Sequence, residues 1–311
     1  IVAETAVDLH MRAMVGTPVI QFPTAWAQSA AECLSKGADL VHDPYADHPL
    51  ISTCFVPHST ATVSDESFGE LRVMADQLDR RIQIHLHESA QEIENELKAS
   101  GQRPIERLKD LGLVNASLMA VHAVHVTDDE ISLFADAGVV VAHCPRSNLK
   151  LADGIAPVAA FNDAGITVSI GTDSAASNNV MDMLGEMRTA GLLAKARADD
   201  ASAIPAAQAL RMATLDGAAS LGLADSIGSI EAGKYADLTC VDLRHINSQP
   251  VYDPISQLVY TVQPQQVSDV WVAGKHQVDN GVLAHIDVDD LLLRTSEWQR
   301  RIAGERELKT A

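Results

Sequence analysis

Aromatic side chains are scarce in this sequence: five Phe, four Tyr and three Trp in 311 residues. Any core must therefore be built from Ala, Val, Leu and Ile. Cysteine is sparse too. Cys33, Cys54, Cys144 and Cys240 lie far apart with no CxxC pair, which excludes a disulfide framework and suggests a reducing, cytoplasmic compartment. Positive charge is in deficit, with 23 Lys and Arg against 42 Asp and Glu and a net charge of −19. Such a surface repels phosphate backbones, so nucleic acid is excluded as a partner and a small neutral or zwitterionic substrate is easier to admit. The apolar runs fall short of the roughly 20 residues that a membrane span requires. There is no basic leader and no low-complexity tract or solenoid-length repeat. Ile1 opens inside an Ala-rich, helix-like stretch without a Met, from which a truncated N-terminus is expected.

What is present reads as an α/β protein. At roughly 150 residues per domain, the length allows one large barrel and a smaller unit. Short runs rich in β-branched residues are predicted as strands at Ala13–Ile20, Leu50–Val56, Ile82–Leu86, Ser117–Val121, Val139–Ala142 and Ile166–Ile170. Most are continuously apolar, as in parallel strands buried on both faces. Helical segments separate them. Ser64 precedes one; Ser89 with Glu92 and Thr127 with Glu130 fit capping boxes, and Gly138 closes a helix.

His58, His85 with His87, His122, His143 and Asp173 stand at or just past the ends of five of these strands. In a (β/α)8 barrel the C-terminal strand ends converge on one mouth, whereas an open doubly wound sheet would not gather five of them. The fold expected is thus an incomplete (β/α)8 TIM-type barrel over residues 1–224, two strands short, with a small β-sandwich portion over 225–286. Helices are predicted at Val180–Ala198 and Pro205–Leu221, and short strands at Ile227–Ile230, Ala236–Val241 and a hairpin over Val270–Val278. A final amphipathic helix and tail, 287–311, is expected to pack on the outside.

Two motifs carry chemistry. In Ile84-His85-Leu86-His87-Glu88, His85 and His87 share one strand face and Glu88 begins the loop. An imidazole at a strand end can hold a metal, and a nearby carboxylate can shuttle protons; taken alone the pattern is only moderately specific. In Gly171-Thr172-Asp173-Ser174, Gly171 allows a tight approach, and Asp173 either points its carboxylate at the mouth or caps the following helix. His87 reads as pocket-lining, His125 as a surface or supporting group, and His143 either as a core histidine or as a support for His122. His42 and His48, flanking Asp43-Pro44, read as bland loop residues, as do Arg146 and Lys150. Cys144 lacks the partners of a catalytic thiol.

Taken together, Pro57-His58, His85-Leu86-His87-Glu88, Ala120-Val121-His122, His143-Cys144-Pro145-Arg146-Ser147-Asn148-Leu149-Lys150-Leu151, Gly171-Thr172-Asp173 through Ser177-Asn178-Asn179, and Gly228-Ser229-Ile230-Glu231-Ala232-Gly233-Lys234-Tyr235-Ala236-Asp237-Leu238 resemble the amidohydrolase superfamily. Within it they resemble the 5′-methylthioadenosine/S-adenosylhomocysteine deaminase group, which borders on the chlorohydrolases. The resemblance implies metal ligation by His85 and Asp173, with Asp173 also taking a proton from the attacking water. It implies Glu88 as the acid that protonates the substrate ring and His122 as a histidine beside the hydrolytic water. His58 would contact the sugar, and Ser177 would lie near the ring.

The resemblance also implies one divalent ion, most simply Zn2+ with Fe2+ or Mn2+ as alternatives, and a homo-oligomer. The superfamily's first strand ends in an HxH pair giving two more ligands, and no such pair precedes the first predicted strand. His10, in a helical context, cannot replace it. Lys36, Lys98 and Lys109 lie in helices or loops, so no lysine is placed to bridge two metals. The expected activity is hydrolytic deamination of an adenosine-type nucleoside. The alternatives are an aminohydrolase of guanine, triazine or pterin rings and, from another class, an inactive barrel serving binding or oligomerisation.

Overall fold

The computed structural model describes all residues except 43, 44, 46, 47 and 311. Asp43 and Pro44 therefore lie outside the described residues. Six strands form one parallel sheet in sequence order: β1 (Ala13–Val19), β2 (Ile51–Pro57), β3 (Ile82–Leu86), β4 (Leu118–His122), β5 (Val140–His143) and β6 (Val168–Ile170). Strict neighbour pairing with a helical crossover between strands is the βα repeat of a barrel wall. The wall is partial, with β1 and β6 at its two ends.

Alternation within the strands separates two environments. In β3, Ile82, Ile84 and Leu86 are buried in the main apolar cluster. Gln83 and His85, on the other face, line a cavity of about 430 Å³ together with Met119 and Val121 of β4 and Ala142. The outward faces meet helices through Phe55, Phe68, Phe134 and Phe161, all fully buried. Four of the five phenylalanines thus lie in the layer between sheet and helices.

Helix starts follow the local chemistry. Ser64 accepts from the Ser67 amide, and Thr127 and Glu130 form a reciprocal capping box closed by Gly138 in the left-handed region. Ser89 accepts from the Glu92 amide as expected. The Glu92 carboxylate, however, reaches further back, taking the amides of His87 at 3.1 Å and Glu88 at 2.8 Å. That bond pair fixes the backbone that carries Glu88.

Three expected elements differ. The helix predicted from Val180 begins at Met183, because Asp182 accepts from the Gly185 amide and acts as its cap. The predicted Pro205–Leu221 helix is two, Ala206–Ala213 and Leu215–Ser220, broken at Thr214 with φ −126° and ψ −92°. No strand forms at Ile227–Ile230. There the Lys234 ammonium gathers the Ala224 carbonyl and the Ser229 hydroxyl into a turn, which leaves no straight ladder. His10 sits just past a short helix, Val2–Asp8, at φ 52° rather than within it.

A second, antiparallel sheet contains β7 (Leu238–Val241), β8 (Val267–Val272), β9 (Lys275–Asp279) and β10 (Val282–Leu283), in the order β10-β9-β8-β7. Arg12, just before β1, forks onto both carboxylate oxygens of Asp237 at 2.6 and 3.0 Å, tying the two sheets together. Between β7 and β8 a helix, Pro254–Tyr260, returns to the barrel, where Val259 joins the main core. The last helix, Val288–Thr310, leaves Leu291, Leu292, Leu293 and Trp298 exposed. These four residues do not form the packed face expected of the helix.

Candidate active site

The C-terminal ends of β3, β4 and β6 bring three donors together. Ligand atoms of His85, His122 and Asp173 all lie within 4.8 Å of one another. The rings of His85 and His122 stack with centroids 5.4 Å apart. His85 arrives there because it occupies an inward position one residue before the end of β3. His122 and Asp173 arrive by a backbone turn: both have positive φ, 73° and 58°, which tips each side chain away from the alternation of its strand.

Each donor is braced. Asp173 Oδ2 accepts from Ser147 at 2.6 Å and Ser177 at 2.5 Å. Burial pushes this carboxyl up, but the two hydroxyls, the Ser174 amide and His122 together hold it below its usual range. It is not the cap of the following short helix; Ser174 is. Gly171 gives the close approach expected of it, since a Cβ there would stand 3.2 Å from Cys144 Sγ. His122 is fully buried; burial, with His85 beside it, depresses it to about 4, so it is neutral at pH 7. Its Nδ1 faces the Asn148 carboxamide at 3.0 Å, while Nε2 is buried without a protein hydrogen bond.

Glu88 completes the constellation. Its Oε1 lies 3.5 Å from His122 Nε2. Burial first, then the charges of Asp153, Asp173 and Glu92, raise its carboxyl to about 7. A carboxylic acid half protonated at neutral pH beside an anionic carboxylate is the pairing that acid–base chemistry uses.

The other expected residues fall elsewhere. His58 is exposed at the end of β2, bonded through Nδ1 to Thr62 at 3.0 Å. Ser177 turns its hydroxyl onto Asp173 rather than into open space. His87 is not pocket-lining: its left-handed φ of 53° rotates it to the helix side, where Nε2 accepts from the Ile105 amide and Nδ1 faces Arg103 and Glu130. His125 bonds the Asp153 carbonyl at 2.6 Å. His143 is buried and depressed to about 3 by burial and by His122.

Several bracing residues carried no assigned role in the sequence. Ser147 and Asn148 stood inside the quoted motif, where two small polar residues just after a Pro-opened helix turn were the available signal. Glu186, fully buried, accepts from the Asn178 side-chain carboxamide at 2.6 Å and from the Arg146 backbone amide, and so holds the Asp173 loop against the Ser147 helix. It had no local signal.

A family model described as the amidohydrolase family matches residues 2–276. The chain belongs to the amidohydrolase family. Among amidohydrolase relatives, the 5-methylthioadenosine/S-adenosylhomocysteine deaminase of Teredinibacter turnerae is 44% identical over 95% of this chain and 67% of its own length. That of Saccharophagus degradans is 38% identical over 98% and 68%. The chain thus spans about two-thirds of these relatives. Among solved amidohydrolase structures, an adenosine deaminase from Xanthomonas campestris with bound zinc superposes with a TM-score of 0.95 at 48% identity, covering 97% of this chain and 69% of that one. The zinc-complexed atrazine chlorohydrolase TrzN of Arthrobacter aurescens gives 0.88 at 28%, covering 95% and 67%.

Proposed function

We propose that this amidohydrolase is a metal-dependent deaminase of adenosine-type nucleosides, converting 5′-methylthioadenosine or S-adenosylhomocysteine and water to the inosine analogue and ammonia. The observation that carries the reading is the convergence of Glu88, raised to about 7, with His122, His85 and Asp173 at one mouth. The deaminase names of the most similar relatives point the same way.

The donor set fits a divalent ion. An imidazole and a carboxylate both belong to the usual catalytic zinc donors, and ligand atoms of His85 and Asp173 lie within 4.8 Å of each other beside His122. His85 and Asp173 would hold it, with zinc proposed as the ion. Its contribution when bound is to bring the pKa of a coordinated water from about 16 to about 7. Asp173, held anionic by Ser147 and Ser177, takes the proton of the attacking water. Glu88 in its protonated form donates to the ring nitrogen, so that negative charge does not build up as the amine-bearing carbon becomes tetrahedral. His122, neutral and within reach of Glu88, orients the reacting oxygen. Ammonia then leaves with a proton returned through the same carboxyl groups. His58 on the rim is assigned to the sugar, and Ser177 to the ring side of the site through Asp173.

Two finer points belong to the same reading. A cytoplasmic setting suits four unpaired cysteines. A homo-oligomer would cover the exposed Leu292, Leu293 and Trp298 of the last helix. Among the described residues no helix is long and apolar enough to cross a membrane.

Ammonia release tests the reading. With zinc supplied, the purified protein is expected to deaminate 5′-methylthioadenosine or adenosine. Hydrolysis of triazines or guanine with no turnover of nucleosides would instead favour the second reading, which the likeness to triazine hydrolases supports.

A further inference from the structure

Glu186 is a carboxylate in a place where packing alone would choose an apolar side chain. It is fully buried on the helix Met183–Ala198, whose Met187, Ala190 and Ala194 enter the main apolar cluster. Its cationic neighbour is loosely set: Arg146 Nε stands 3.7 Å away, and Arg146 Nη1 turns to Asp182 at 3.5 Å. A buried carboxylate without a close ion pair costs stability that a well-packed apolar group would not. Its two oxygens are occupied instead by hydrogen bonds, and both bonds lead to Asp173.

The first route starts at Oε1, which accepts from Asn178 Nδ2 at 2.6 Å. The same Nδ2 gives its other proton to the Thr172 carbonyl at 2.6 Å. Both partners are acceptors, so the amide must turn its NH2 to them, although this leaves Oδ1 buried without a donor. The loop is thereby stapled from Thr172 to Asn178 around Asp173. Ser177, inside the staple, donates to Asp173 Oδ2 at 2.5 Å. The second route starts at Oε2, which accepts from the Arg146 amide at 3.2 Å. The next residue, Ser147, is fully buried and donates to the same Asp173 Oδ2 at 2.6 Å. One side chain therefore sets both hydroxyls that meet one oxygen of Asp173, and that carboxylate cannot rotate without losing a bond.

We propose that Glu186 is a positioning residue that fixes the Asp173 carboxylate in the orientation from which it holds a metal ion and takes a proton. Glu186 acts through Ser147 and Ser177 and touches no reacting atom. Its effect on zinc and turnover rests on the deaminase reading; the clamp on Asp173 does not.

Zinc affinity of the chelator-treated protein, measured by competition with a chromogenic chelator, is the readout that a merely structural role would not move. Glu186→Leu, which nearly keeps the volume and loses both acceptors, is expected to weaken zinc binding about 10- to 100-fold. Glu186→Gln keeps one acceptor for Asn178 but sets an NH2 against the Arg146 amide, and weakens it less. Met187→Ala, from the buried face of the same helix, lowers Tm yet leaves zinc affinity unchanged. Hydrogen exchange read by mass spectrometry adds a metal-free measure, in which Glu186→Leu speeds exchange over 145–151 and 172–179 more than Met187→Ala does. Zinc affinity unaltered in both Glu186 variants overturns the proposal, as does an equal loss in Met187→Ala. If Glu186→Leu does not fold, Glu186→Gln set against Met187→Ala decides. If the unaltered protein binds no zinc, the metal reading fails by itself, and exchange unchanged over both segments in the Glu186 variants would overturn the clamp. Zinc binding that depends on Glu186 without any nucleoside turnover would sink the deaminase reading and leave the clamp standing.

Discussion

Glu88 Oε1 lies 3.5 Å from His122 Nε2, a raised carboxylic acid set against a histidine kept neutral by burial. Glu88 is half protonated at pH 7, where an ordinary glutamate is ionised, and His122 stays neutral well below the pH at which an ordinary histidine takes up a proton. Both shifts come first from desolvation, so both depend on the mouth remaining closed to bulk water.

The first prediction concerns pH. Glu88 donates only when protonated, so kcat/KM is expected to fall as pH rises through about 7. Asp153→Asn removes one charge that raises Glu88, and the alkaline limb should move to lower pH. Glu88→Gln should lower kcat by roughly 100- to 10,000-fold and abolish that limb. Stability follows the same sign. A carboxyl raised from 4.5 to about 7 on folding contributes stability that is fully present below 4.5 and lost as pH rises through about 7. Denaturant titrations of the unaltered protein and Glu88→Gln between those values would measure it.

Ser147 and Ser177 offer a test on the opposite limb. Their hydroxyls help hold Asp173 below its usual range. Ser147→Ala should raise the Asp173 carboxyl, move the acid limb of the profile to higher pH and lower activity by about 10-fold or more. An unchanged acid limb would remove Asp173 from the proton-accepting role.

Metal removal separates loading from folding. Dialysis against a chelator should abolish turnover, and zinc should restore it. Zinc at about 100 times its dissociation constant should add about 2.7 kcal/mol of stability, seen as a rise in Tm. His85→Ala should lose that rise, whereas His58→Ala should keep it.

His87 should behave as a framework residue. It accepts from the Ile105 amide and packs against the Arg103–Glu130 pair. His87→Leu leaves that buried amide unpartnered and is expected to cost about 1–3 kcal/mol in denaturant titration. The zinc-dependent rise in Tm should persist in the variant.

The sequence revealed what is periodic. All six barrel strands stand within two residues of where apolar runs place them, and His85 was legible because parity puts it inside the barrel. His87 obeyed the same parity on paper but left it in space, since a left-handed turn at the strand end is invisible to a period of two. The bracing of Asp173 by Ser147 and of His122 by Asn148 joins positions 26 residues apart. Such pairings arise when neighbouring strands meet at one rim, and no local pattern announces them. Glu92 was read as a reciprocal cap for Ser89; its carboxylate instead finds two unpaired amides one step upstream.

The left-handed backbone at His122, Ala123 and Asp173 has an evolutionary corollary. Side chains branched at Cβ are strongly disfavoured in that region of conformational space, while Gly, Asn and Asp enter it readily. The repertoire of replacements at these rim positions is narrowed by the peptide chain before any chemistry is selected. Engineered substrate changes should therefore accumulate on neighbouring loops with ordinary torsions, leaving the three rim positions fixed in variant libraries even where a new reaction no longer needs their side chains.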